Sequence, residues 1–128
     1  MAALALTVVA AILLVTGSFG IAHPSLVANE ASPGPGDLLS TSPSQVKLVF
    51  NVEPQGLVPE QSFFWVFNEK GLTVVALGKV DLSTADRNVM VAALPQLSPG
   101  IYEVFWVAIS LADQGFSQGR YSFAVTGQ

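Results

Sequence analysis

An all-β architecture is what this sequence predicts, specifically a Greek-key β-sandwich of about seven short strands. Apolar residues recur at every second position along several runs, the period of a strand that buries one face. Clusters of Pro, Gly, Ser and Asp separate those runs at short intervals. From His23 onward no window sustains the i, i+3, i+4, i+7 spacing that an amphipathic helix requires.

Met1 to Ala22 stands apart from that pattern. It holds an apolar run from Ala2 to Val15, then Thr16-Gly17-Ser18, then the small residues Gly20 and Ala22 where a peptidase reads. The run is shorter than the roughly 20 apolar residues that cross a bilayer, and it fits the core of a secretory signal. We therefore expect residues 1–22 to be a helical signal peptide cut after Ala22. The 106 residues 23–128 are then one exported domain, enough for a single modest core. No Lys or Arg precedes the apolar run, so a retained membrane anchor is the competing reading of this segment.

The strands follow in order. Ser32-Pro33-Gly34-Pro35-Gly36-Asp37 is a turn-rich loop, because Pro fixes φ and Gly admits positive φ. Val46, Leu48 and Phe50 then alternate with Lys47 and Val49, as a half-buried strand does. Ser62 to Phe67 is a continuous aromatic and aliphatic strand closed by the turn Asn68-Glu69-Lys70-Gly71. Further strands are expected over Thr73 to Ala76, Asn88 to Ala93 and Ile101 to Ile109, the last introduced by Ser98-Pro99-Gly100. Arg120 to Thr126 completes the set, with Tyr121, Phe123 and Val125 alternating against Ser122 and Ala124.

The strand from Ile101 is apolar on both sides. Tyr102, Val104, Trp106 and Ala108 share one face, while Phe105, Val107 and Ile109 share the other. Either a loop or sheet edge covers that second face, or it is a docking surface.

Composition removes several classes of function. Nine Asp plus Glu against five Lys plus Arg give a net charge of −4 with no basic cluster, so a phosphate backbone would be repelled and nucleic acid is not an expected partner. The absence of Cys removes thiolate ligands and zinc-finger chemistry, and it leaves an exported domain to be held by packing alone. The Pro33-to-Gly36 stretch leads into a strand instead of a helix, which rules out a phosphate-cradling loop. Asp81 and Asp86 lie in a polar loop and read as solvated surface. A Ser/His/Asp mechanism would need a terminal His to act as a rigid base, and no nucleophile turn is present. The chain is expected not to be an enzyme.

The only histidine, His23, is the residue that cleavage would place first. There it offers a metal two nitrogens, the free α-amine and the imidazole, a chelate suited to Cu(II). Pro24 has no amide N–H, so the next backbone nitrogen cannot join as a ligand. The competing reading is a solvated terminal side chain.

In this order the pieces resemble the CopC/PcoC-type family of exported copper-resistance proteins. The resemblance rests on His23-Pro24-Ser25-Leu26, on Ser32-Pro33-Gly34-Pro35-Gly36, and on Pro43-Ser44-Gln45-Val46-Lys47-Leu48-Val49-Phe50. It continues through Leu97-Ser98-Pro99-Gly100-Ile101-Tyr102-Glu103-Val104-Phe105-Trp106, then Ser110-Leu111-Ala112-Asp113, then Gly119-Arg120-Tyr121-Ser122-Phe123-Ala124-Val125. It implies an immunoglobulin-like β-sandwich that binds Cu(II) through the amino-terminal His, an Asp in a Ser-Ala-Asp-Gly-His type loop, and the His two residues after that Asp.

By position, His23 matches the first ligand and Asp113 the second, whereas Gly115 stands where the second His belongs. One extra residue separates Ser110 from Gly119 relative to the usual pattern. Glu53 is a candidate to sit just outside the ligand set. The methionine-rich Cu(I) segment of some members is missing, since Met90 is the one Met left after export. Phe105 and Val107 stand where polar or basic residues are common in the family.

The implied function is an exported Cu(II)-binding protein, periplasmic or at an extracytoplasmic cell surface, that buffers or delivers copper with a degenerate site. Its implied partners are the copper ion and a membrane copper transporter or other copper protein, with no membrane contact unless the leader is retained. The alternative is a sandwich module that has lost copper and acts through its apolar sheet face. A retained leader would block the His23 amine and remove the chelate.

Overall fold

The computed structural model describes residues 23–52 and 54–127; residues 1–22, where the signal peptide is expected, together with Glu53 and Gln128 lie outside the described residues. Among the described residues eight strands form: β1 (Ser25–Leu26), β2 (Leu38–Leu39), β3 (Gln45–Asn51), β4 (Phe63–Asn68), β5 (Thr73–Val80), β6 (Val89–Ala93), β7 (Gly100–Ile109) and β8 (Phe116–Val125). They hydrogen-bond in the order β1-β3-β6-β5-β4-β7-β8-β2. The run β3-β6-β5-β4 is a Greek key, because β4, β5 and β6 are consecutive neighbours and β6 returns beside β3. The sheet curls on itself through β5, which pairs with β4 over most of its length and with β6 at Lys79 and Val80.

Alternation in the sequence becomes alternation in burial. Val46, Leu48 and Phe50 of β3 point inward, and they meet Phe64 and Val66 of β4, Met90 of β6, Tyr102, Val104 and Trp106 of β7, and Phe123 of β8. Each such side chain removed from water contributes about 1.5–3 kcal/mol before the entropy cost of ordering it. With no disulfide, this cluster is the main source of cohesion. Tyr102 adds a directed contact, since its hydroxyl donates to the Ser98 carbonyl at 2.7 Å while its ring stacks on Phe123. That is the tyrosine corner typical of immunoglobulin-like sandwiches.

Two glycines make room for core rings. A Cβ on Gly78 would collide with the Phe64 ring in the adjacent strand, and one on Gly119 would lie 2.6 Å from the Trp106 indole. Both positions sit inside strands, where Gly is otherwise unfavourable.

The expected strands all form, with altered limits. β5 continues to Val80 instead of ending at Ala76, and β8 begins at Phe116, ahead of Arg120. β1 and β2 were not expected, because a two-residue strand carries no periodicity to detect.

The second face of β7 is apolar in the folded domain and extends beyond β7 itself. Phe105, Val107 and Ile109 are half-buried, and β4 turns Phe63, Trp65 and Phe67 to the same side. Register pairs Trp65 with Phe105 and Phe63 with Val107, and the Trp65 ring lies 5.3 Å from that of Phe105.

Candidate metal centre

His23 enters the fold through the short strand that follows it. Ser25 and Leu26 pair with Asn51 and Phe50, and the Val27 amide donates to the Val49 carbonyl at 2.8 Å, which fixes the amino-terminal segment along the free edge of β3. Pro24 is buried, and its carbonyl accepts a hydrogen bond from the Ser117 hydroxyl. Those contacts carry His23 to the start of β8, where its Nδ1 lies 2.7 Å from the Phe116 carbonyl oxygen. A carbonyl oxygen only accepts, so Nδ1 carries a proton in this arrangement.

Asp113 sits in the tight loop between β7 and β8. The loop is closed by the Ser110 amide donating to the Gly115 carbonyl and by the Gln114 amide donating to the Ser110 carbonyl, both at 2.8 Å. Gln114 takes a positive φ of 63° at the apex. Asp113 Oδ1 accepts from the Gly115 amide at 2.8 Å, an Asx turn that holds the half-buried carboxylate against its own loop. Leu111 is tied to Gly56 by a backbone hydrogen bond of 2.9 Å, which anchors the loop to the connection after β3.

The fold therefore brings His23 and Asp113 to one end of the sandwich, since the carbonyl that receives the imidazole lies three residues beyond Asp113 in the chain. Gly115, at the position of the missing His, is buried and donates its amide to Asp113. Among the described residues no three His, Cys, Asp or Glu side chains converge to hold an ion. Glu53 lies outside them. Met90 is fully buried in the core, which removes its thioether from any surface site.

The donors expected after cleavage behind Ala22 would fit Cu(II) in part. An amine, an imidazole and a carboxylate are nitrogen and oxygen donors of the kind a tetragonal Cu(II) ion takes, and that set includes none of the soft sulfur ligands that select Cu(I). A chelate through the amine and the ring of one His must use Nδ1, because Nε2 points away from the backbone. Nδ1 is also the atom held by Phe116, so chelation and this hydrogen bond exclude each other. Sequence reasoning did not find that competition, for nothing in residues 110–118 marks a backbone carbonyl as a partner for His23. A second feature it missed is Ser110, whose hydroxyl is fully buried beneath the loop and has no hydrogen-bond partner.

Comparison with known proteins gives concordant results. Residues 28–126 match the family model of the CopC domain, a span that begins five residues after His23. No curated protein matches the chain. Among solved structures, CopC from Methylosinus trichosporium OB3b superimposes with a TM-score of 0.70 at 27% identity, covering 83% of this chain and 96% of that one. PcoC, a methionine-rich copper resistance protein from Escherichia coli, superimposes with a TM-score of 0.64 at 27% identity, covering 82% of this chain and 100% of its own.

Proposed function

Given that this chain belongs to the CopC domain family, we propose that it is an exported Cu(II)-binding protein that buffers copper or hands it to another copper protein. The family is one of copper resistance proteins and not of enzymes. In this reading cleavage after Ala22 frees the His23 amine, and the amine and Nδ1 close on copper while Asp113 supplies an oxygen. The fourth equatorial position is open to water, to Glu53 or to a ligand from the acceptor, which favours transfer over storage.

One observation carries the proposal: the imidazole of His23 is held at the mouth of the loop that bears Asp113, through the Phe116 carbonyl. Copper exchanges that hydrogen bond for a coordinate bond, so binding turns the ring away from Phe116.

The test is a Cu(II) titration of the chain beginning at His23, read by visible absorption and electron paramagnetic resonance, beside the same chain preceded by one Ala. The His23-first chain should bind at least about tenfold more tightly, a difference of about 1.4 kcal/mol. Mass spectrometry of the exported protein should find His23 at its amino terminus. An affinity no better than that of a free His-Pro peptide would sink the proposal.

A further inference from the structure

We propose, resting on the copper reading above, that the open edge of β8 between Phe116 and Ser122 receives an extended segment of the copper acceptor as an added β-strand, which delivers a ligand beside His23. Backbone parity identifies the edge. The Gly36 amide donates to the Ser122 carbonyl at 2.8 Å, and the Ala124 and Thr126 amides donate to the Asp37 and Leu39 carbonyls at 2.9 and 2.7 Å, so the even-numbered residues of β8 turn their peptide groups away from β7. Register with β7 is unbroken from Phe116 to Val125, which carries that parity to the start of the strand. Phe116 obeys it, since its carbonyl meets His23 Nδ1.

β2 fills one end of this lane, pairing at Ala124 and Val125. Before it, the outward N–H and C=O groups of Gln118 and Arg120 have no hydrogen-bond partner among the described residues. Both side chains are exposed. The odd-numbered residues close the underside, where the Ser117 and Tyr121 hydroxyls donate to the carbonyls of Pro24 and Pro33 and seat the amino-terminal segment. Free donors and acceptors at strand spacing are a template for an added strand, and β2 already uses the same lane in that way. From Phe116 to Ser122 the lane runs about 20 Å, room for about six residues.

Position selects the occupant. The lane ends at His23, and copper that takes Nδ1 releases the Phe116 carbonyl, which lengthens the edge by one acceptor. Metal loading and strand docking therefore favour each other. Phe116 is 49% exposed and the Arg120 side chain 71%, so an antiparallel visitor fits with an apolar residue beside Phe116, an acidic one beside Arg120 and a His just past Phe116. Arg120 guards the lane, because a charged side chain on an edge discourages strands that do not answer it. A second copy is disfavoured, since each chain carries −4.

The probe is the acetylated and amidated peptide Glu-Val-Thr-Thr-Val-His, added to the nitrogen-15-labelled chain beginning at His23. That chain is a folding unit, since the solved relatives are matched over 96% and 100% of their own length by 83% and 82% of this one. In the metal-free chain, millimolar peptide should slow hydrogen exchange at the Gln118 and Arg120 amides at least about twofold and leave other exposed amides unchanged. Calorimetric titration should show the Cu(II)-loaded chain binding the peptide at least about tenfold more tightly than the metal-free chain, and Ala in place of the peptide's His should lose that gain. Gln118→Pro removes an outward donor that β7 does not use, so it should abolish protection at Arg120. A peptide N-methylated at its first Thr loses the donor that meets the Gln118 carbonyl; it should fail to protect either amide, and it serves should the proline variant not fold. Unprotected amides overturn the inference whatever the copper titration gives, as does equal protection by the N-methylated peptide. Protection that grows with chain concentration in the absence of peptide assigns the edge to a second copy and overturns it as well. Equal peptide affinity in loaded and metal-free chains overturns the delivery step. A chain that takes up the peptide on these amides but binds no copper upholds the strand and fails the earlier reading alone.

Discussion

In the proposed site one ring nitrogen of His23 has two competing uses, and the balance between them would decide what an amino terminus freed there can do. While Nδ1 donates to Phe116 the ring is parked; once the α-amine is free, a six-membered chelate through the same atom becomes available. In the proposed site Asp113 would have a similar double role, because one carboxylate oxygen already shapes the loop through the Gly115 amide. Two substitutions separate those roles. Asn keeps a side-chain oxygen for the turn but removes the charge, whereas Ala removes both. Asp113→Asn should leave thermal stability nearly unchanged while lowering Cu(II) affinity about tenfold, and Asp113→Ala should lose the affinity and a further 1 kcal/mol or so of stability. Calorimetric melting beside copper titration reads both quantities. Equal copper affinity in wild type and Asp113→Asn would remove this residue from the ligand set.

Strands are where local pattern and packing part company. β3 was legible because Val46, Leu48 and Phe50 alternate cleanly, and the structure buries all three. The start of β8 was not, because Phe116-Ser117-Gln118-Gly119 looks like a loop until it is known that Gly119 lies across from Trp106. There the glycine is a place for an indole, and the strand's irregularity is complementary to its neighbour's bulk. Gly119→Ala should therefore cost about 1–3 kcal/mol, lowering Tm by several degrees without changing the far-ultraviolet spectrum. A neutral effect would mean that Trp106 shifts freely. β1 and β2 were invisible for a different reason: each is two residues long, and register with β3 or β8 is what makes it a strand.

The whole molecule is stabilised by one core and by a few ties across it, so its stability responds to pH at particular points. Tyr121 on β8 donates to the Pro33 carbonyl at 2.6 Å and thereby fastens the amino-terminal loop to the sheet. Burial first, and the Asp37 carboxylate second, push its phenol pKa well above the usual value of 10. The folded chain thus holds this proton more tightly than the unfolded chain does. The resulting stabilisation is complete below about pH 10 and is lost as pH rises beyond it, when the unfolded chain ionises first. Melting temperature should fall above about pH 10, and Tyr121→Phe should start lower yet flatten that fall; an identical slope in the variant would assign the effect elsewhere. By itself the sequence determined the all-β class, the buried rows, the family and the identity of its one imidazole, because periodicity, turn chemistry and motif order are local properties of a chain. Only the tertiary structure decided that Nδ1 rests on Phe116 and that Phe63, Trp65 and Phe67 join Phe105 and Val107 on one open face. Residues so distant in the chain become neighbours through strand register, and register is set by the packing of the entire sandwich.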